Sequence, residues 1–158
     1  ADFIIDTSNL MPRQLKGEIA RLFVEGKSFK GLILNIVSFG FKYGIPMDCD
    51  LVFDVRFIPN PYYIPELKHK TGLDPDVSDY VMSFPESRKF LNKLNEMIHF
   101  LIPYYVKEGK TQLIIGIGCT GGRHRSVAIA RRLGQMQKDK GSSVVNQHRD
   151  IDRDDQGE

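Results

Sequence analysis

Apolar positions fall into blocks of two kinds along this chain. Leu15, Ile19, Leu22 and Phe23 recur at helical spacing after Thr7 and Ser8, and Gly26 can close that helix. Residues 31–38 are rich in Ile, Leu and Val, the pattern of a strand buried on both faces. Leu51, Phe53, Val55 and Phe57 alternate with Val52, Asp54 and Arg56, which predicts a strand carrying Asp54 and Arg56 on one face. Residues 58–79 hold four of the eight prolines and read as a long irregular loop, commonly a binding wall or lid. Ser83 with Glu86 three residues on has the form of a capping box. It opens a predicted helix with Phe90, Leu94, Ile98, Leu101 and Ile102 on one side, which Pro103 should end or kink. Residues 112–118 form another buried strand, and Ile129, Leu133 and Met136 stripe a helix that ends near Gly141. Val144-Val145 is a short last strand, and the polar segment 150–158 reads as a disordered tail.

Strand, helix, strand, helix, strand implies a single α/β domain, a mostly parallel sheet flanked by helices. The expected organisation is a linker and leading helix over 1–26, the domain over 27–149, and the tail. Ligands of such sheets gather beyond the carboxyl ends of the strands. Asp54, Arg56 and the stretch after residue 118 all fall at strand ends, so they are expected to share one crevice.

That stretch, Cys119-Thr120-Gly121-Gly122-Arg123-His124-Arg125-Ser126, carries the clearest chemistry. A helix N-terminus offers backbone N–H groups without intrahelical partners, and its dipole favours an anion. Gly121 and Gly122 allow a sharp turn, Thr120 and Ser126 add hydroxyls, and Arg123, His124 and Arg125 add charge. The plain alternative is a Gly-rich turn with a solvated basic cluster. The same residues fit the phosphatase loop C-x-x-G-x-x-R-S, in which Cys119 would be a thiolate nucleophile and Arg125 the phosphoryl clamp. Gly118 stands where those enzymes usually have histidine, and Asp74, Asp76 and Asp79 qualify as the general acid by position only. Otherwise Cys119 is a small residue packed at a strand end.

The remaining polar groups leave alternatives open. Asp54 and Arg56 are either a surface ion pair or ligand groups. Phe39, Phe41 and Tyr43 are either packing or surfaces for stacking bases. Arg131, Arg132, Lys138 and Lys140 are either a solvated helix face or phosphate contacts. His69, His99 and His148 have no suggestive neighbours, and no spacing indicates a metal site.

Bulk properties narrow the classes. With 158 residues, 41% hydrophobic and 27% charged, the chain can bury one core. The net charge of +2 means any nucleic-acid role rests on a local patch. Cys49 and Cys119 alone make no disulfide framework, so a reduced, cytoplasmic protein is expected. No apolar run is long enough to span a bilayer, and the opening Ala1–Thr7 reads as the middle of a longer protein.

Four motifs carry a resemblance. They are Ser38-Phe39-Gly40-Phe41-Lys42-Tyr43-Gly44-Ile45-Pro46, Phe53-Asp54-Val55-Arg56-Phe57-Ile58-Pro59-Asn60-Pro61, Thr71-Gly72-Leu73-Asp74, and Ile117 through Ser126. In this order they resemble the C-terminal domain of the RapZ (YvcJ) family, the RNase adapter and nucleotide-binding proteins of bacteria. The resemblance implies a non-enzymatic domain that binds small RNA, presents it to a ribonuclease, and senses a phosphosugar, glucosamine-6-phosphate. It implies a ligand site on Cys119, Thr120, Gly121, Gly122, His124, Arg125 and Ser126, with Asp54 and Arg56; Arg123, Asn60 and Tyr62 join as neighbours. RNA is expected on Arg123, Arg131, Arg132, Lys138 and Lys140, and a homo-oligomer is expected. ATP or GTP would bind a P-loop in the family's N-terminal domain, since no G-x-x-x-x-G-K-S/T occurs here. Two departures stand out: Tyr62 replaces the histidine that enterobacterial members place after Asn-Pro, and an acidic tail replaces their lysine/arginine cluster.

Overall fold

The computed structural model describes residues 31–153. The leading helix expected within 1–26 and the tail beyond 153 lie outside them. Four strands, β1 (Ile33–Gly40), β2 (Leu51–Asp54), β3 (Gln112–Cys119) and β4 (Ser143–His148), form one sheet in the order β2-β3-β1-β4. Every neighbouring pair is parallel, as the buried apolar runs require. The central pair β1 and β3 is buried almost throughout, whereas the edge strand β2 alternates half-buried Leu51 and Phe53 with exposed Val52 and Asp54.

Three helices complete the domain: α1 (Pro75–Met82), α2 (Pro85–Lys107) and α3 (Arg125–Asp139). Leu34 and Ile36 of β1, Leu113, Ile115 and Ile117 of β3, Leu91, Leu94 and Ile98 of α2, and Ile129 and Leu133 of α3 share one core. Buried polar clasps fix the helices. Gln137 Nε2 donates to Asn95 Oδ1 at 2.7 Å, joining α3 to α2, and Asn146 Nδ2 donates to the Ala130 carbonyl at 3.1 Å, joining β4 to α3.

Three local expectations are corrected. The irregular segment 58–79 contains the start of α1, where Pro75 fixes the first helical φ and Val77 and Val81, four apart, are buried. The Ser83/Glu86 capping box does not form: Ser83 closes α1, its Oγ donating to the Tyr80 carbonyl at 2.6 Å, and Pro85 starts α2 after an N-cap at Phe84. Of the two outcomes expected at Pro103, an end does not occur: α2 runs on to Lys107, with Tyr105 and Val106 packed on the core.

All four strands point their carboxyl ends the same way. The register sets Gly40 opposite Cys119 and Asp54 opposite Gly118. Residues 40, 54 and 119 therefore share one level at the carboxyl ends of the strands; Arg56, expected on the strand with Asp54, lies beyond the end of β2.

Candidate phosphate-binding site

The Cys119 loop joins β3 to α3 and is built on contact between backbones. Gly122 has φ +81°, a left-handed conformation that favours glycine, and a Cβ there would lie 2.6 Å from the Gly40 nitrogen. A Cβ on Gly40 would in turn meet the Gly121 carbonyl carbon at 2.4 Å. The loop is thus pressed onto the end of β1, and neither side tolerates a side chain. The Lys42 N–H donates to the Thr120 carbonyl at 3.2 Å, and the Gly72 N–H to the Arg123 carbonyl at 2.8 Å.

Each loop side chain has a defined place. Cys119 is fully buried; Sγ donates to Ser126 Oγ at 3.1 Å and accepts from the Gly122 N–H at 3.3 Å. His124, also fully buried, sets Nε2 3.1 Å from the Lys68 carbonyl. A carbonyl only accepts, so that nitrogen carries the proton. Arg125 is 4% exposed. Its Nη1 donates to the carbonyls of Arg56 at 3.0 Å and Ile58 at 2.9 Å, and Nη2 reaches Thr120 Oγ1 at 3.4 Å. Arg123 donates to the carbonyls of Ile151 at 2.7 Å and His69 at 3.3 Å. The Nε atoms of Arg123 and Arg125 are buried without a hydrogen-bond partner, and neither arginine meets a carboxylate among the described residues.

Asp54 and Arg56 stand beside the loop as an ion pair. Asp54 accepts from the Arg56 N–H and Nε at 2.9 Å each and from Nη2 at 2.7 Å, and the pair is about half exposed. Hydrogen bonding to Arg56 holds the Asp54 carboxyl below its ordinary pKa. Asn60 is occupied in capping, its Oδ1 accepting the Tyr62 N–H at 3.0 Å, and Lys68 Nζ sits 4.8 Å from the centre of the Tyr62 ring.

Of the cations expected to meet RNA, Arg123 is tied into the loop and Arg131 donates to the Leu73 carbonyl at 3.2 Å. Arg132, Lys138 and Lys140 are exposed on or just beyond α3.

Asp150 was missed. Placed in the polar tail by sequence, it is fully buried and accepts from the Gly40 N–H at 2.8 Å, from Arg149 and from Arg153. Burial disfavours its charge, but the bonds from Arg149, Gly40 and Arg153 outweigh that and keep its pKa below the ordinary value. With Ile151 accepting from Arg123, segment 149–153 straps the loop to β1. The only signal was Asp150 lying between Arg149 and Arg153, which matches any solvated segment.

Fold and site define a parallel α/β domain with a glycine-rich turn, a buried Arg125 and a half-buried Arg123 at the carboxyl ends of its strands. Residues 32–152 match the family model for the RapZ C-terminal domain, and the chain belongs to that family. It is 63% identical over 154 residues to a nucleotide-binding protein of Acetivibrio thermocellus, a match covering 98% of this chain and 53% of that relative. It is 62% identical over 157 residues to a nucleotide-binding protein of Ruminiclostridium cellulolyticum, covering 99% and 54%. One from Caldanaerobacter subterraneus subsp. tengcongensis is 60% identical over 151 residues. The chain spans about half the length of these relatives. Among the described residues no helix is long and apolar enough to cross a membrane, and no metal-binding cluster occurs.

His148 gives the site's edge a pH response. Nδ1 lies 2.7 Å from the buried Ser38 Oγ, and burial, aided by Arg131, lowers its pKa to about 4. The unfolded histidine titrates near about 6.5, so between these values the unfolded chain binds the extra proton. Stability should therefore be full above about pH 6.5 and fall by up to about 1.4 kcal/mol per pH unit on acidification toward pH 4. Urea unfolding of wild type and His148→Gln across this range should show a shallower slope in the variant; equal slopes would remove His148 as the cause.

Proposed function

We propose that the Cys119–Ser126 loop binds the phosphate of a small phosphorylated ligand, a phosphosugar such as glucosamine-6-phosphate, and that the chain is the sensing half of an RNA adapter. The observation that carries the first part is Arg125. An arginine only 4% exposed normally has a carboxylate partner; this one has carbonyls, a hydroxyl and an orphaned Nε. A phosphate would supply the missing negative charge beside α3, whose first-turn N–H groups have no intrahelical partner. Ligand-binding residues would be Thr120, Gly121, Gly122, Arg123 and Arg125, with Asp54 and Arg56 at the rim and the buried Cys119, His124 and Ser126 shaping the loop from beneath.

The RNA part rests on family membership and on Arg132, Lys138 and Lys140, exposed on or just beyond α3. Three or four phosphate contacts per chain give modest affinity, which a homo-oligomer would multiply. The names of the relatives, which are twice as long, fit a nucleotide site for ATP or GTP in the part this chain does not span. A phosphatase is disfavoured although Cys119 and Ser126 are in contact. The thiol has no exposed surface, Asp76 is paired with Lys70, and Asp74 accepts the Thr71 N–H at 2.8 Å.

Three outcomes follow. By calorimetry, glucosamine-6-phosphate should bind wild type and glucosamine should not, and Arg125→Ala should lose about ten- to a hundred-fold, or about 1.5–3 kcal/mol; no binding by wild type at millimolar ligand sinks the site. In filter binding with structured RNA, Arg132→Ala/Lys138→Ala should weaken binding and flatten the salt dependence by about 0.7 per lost contact. An unchanged slope would put the RNA surface elsewhere. With p-nitrophenyl phosphate at pH 5–7, no turnover is expected; a rate abolished by Cys119→Ser would make the domain an enzyme.

A further inference from the structure

The sheet has two faces, and the described helices cover one of them. On that face Leu34 and Ile36 of β1, Leu113 and Ile115 of β3 and Val144 of β4 join the core residues of α1, α2 and α3. The alternate positions, Ile33, Asn35 and Val37 of β1, Ile114 of β3 and Val145 of β4, lie on the other face, and the register sets Ile114 and Val145 on either side of Asn35. The connection after β1 closes the carboxyl half of this second face: a Cβ on Gly116 would meet Cys49 Sγ at 2.8 Å, and one on Gly118 would meet the Phe41 ring at 2.6 Å. The amino half has none of the three helices over it. Even so, Ile33, Val37, Ile114 and Val145 are only 5–8% exposed and Asn35 is fully buried, all of them outside the core of the first face. All-parallel sheets occur almost only with both faces covered.

The chain itself limits what the cover can be. Strand β1 is one of the two central strands and is entered through a turn at Gly31, whose φ is +104°. Before it, Leu15, Ile19, Leu22 and Phe23 recur at helical spacing, with Pro12 suited to the first turn and Gly26 to the end. Only residues 27–32 separate that pattern from β1, an ordinary length for a helix-to-strand connection. They reach at most about 20 Å, so the end of such a helix stays beside the strand it feeds. The first face is filled. The outer stripe of α2, Met97, Phe100 and Tyr104, stays more than half exposed, whereas the second face is out of water.

We infer that residues 12–25 form a helix across the second face, setting Leu15, Ile19, Leu22 and Phe23 on Ile33, Val37, Ile114 and Val145, so that the leading segment is a layer of this domain and not a linker to it. Gln14 and Lys16 flank the apolar stripe. They can donate to Asn35 Oδ1 and Gln147 Oε1, which are buried without a hydrogen-bond partner, while Asn35 Nδ2 donates to Gln112 Oε1 at 2.7 Å. The family match begins at residue 32 and leaves this layer out.

The test is nuclear Overhauser contact between methyl groups in the 158-residue chain, read on uniformly labelled protein and on a mixture of labelled and unlabelled chains. Methyls of Leu15, Ile19 and Leu22 should contact those of Ile33, Val37, Ile114 and Val145, all within one chain. Contacts between differently labelled chains would seat a second copy on this face and overturn the inference. Contacts from the leading segment to Met97 of α2 would overturn it too, as would none to the sheet. Amide hydrogen exchange of Leu15→Asp/Ile19→Asp gives a second reading. Exchange at residues 33–37 and 144–147 should quicken at least about ten-fold over wild type, because buried charge is expelled from an apolar face and the strands beneath open more often. Unchanged exchange there overturns the inference; should the variant not fold, the wild-type contacts decide alone.

Discussion

The close approach of two backbones, Gly40 at the end of β1 and Gly121-Gly122 after β3, is the constraint on which the site depends. Parallel pairing brings Gly40 opposite Cys119, and the left-handed turn at Gly122 folds the loop back onto it. With no side chain on either face, the loop cannot rise off the strand without losing contact along its length. Asp150 then closes the junction from 110 residues away, accepting the Gly40 N–H, with its Cβ where a side chain on Gly122 would go. A loop fixed in this way has little ordering entropy left to lose, which favours the anion binding proposed for it.

The charge inside this frame follows from its partners. Arg125 and Arg123 are held by main-chain carbonyls of Arg56, Ile58, Ile151 and His69, which orient a guanidinium without neutralising it. Asp54, the nearest acid by its electrostatic effect on the site, is engaged by Arg56. Among the described residues, Asp54 is engaged by Arg56 and Asp150 by Arg149 and Arg153, which leaves Arg123 and Arg125 without a carboxylate partner. The same carbonyl contacts draw the corner after β2 and the strap after β4 toward the loop, so the arginines brace the site as well as charge it.

Much of this was legible from local pattern. The parallel α/β fold follows from the apolar runs 31–38 and 112–118 and the helical stripes between and after them. The loop follows from glycines and arginines between a strand and a helix. What was not legible depends on long-range contact. The capping box at Ser83 and Glu86 is a valid local pattern, overruled because Ser83 already closes α1 and Pro85 dictates the next start. Helix α1 hid in a proline-rich stretch because it has only two buried residues to advertise it. That His124 sets its Nε2 toward the Lys68 carbonyl, a contact 56 residues away in sequence, has no local signal.

Asp150 shows why counting charges along the chain misjudged the end of the domain. Counted as a tail acid, it joins Asp152, Asp154, Asp155 and Glu158 as a negative field beside any bound anion. In the fold it is fully buried and bonded to both Arg149 and Arg153, so its charge is largely cancelled within a few ångströms. Charges paired at such range leave little field at a distance, and salt screens the remainder beyond about 10 Å. Asp150 therefore adds little to the field near the loop, where the described charges are Arg123, Arg125 and the Arg56–Asp54 pair. Net charge per segment is a sound guide only where side chains are solvated; where a carboxylate is drawn into the backbone of a strand end, it becomes part of the scaffold and leaves the electrostatic sum.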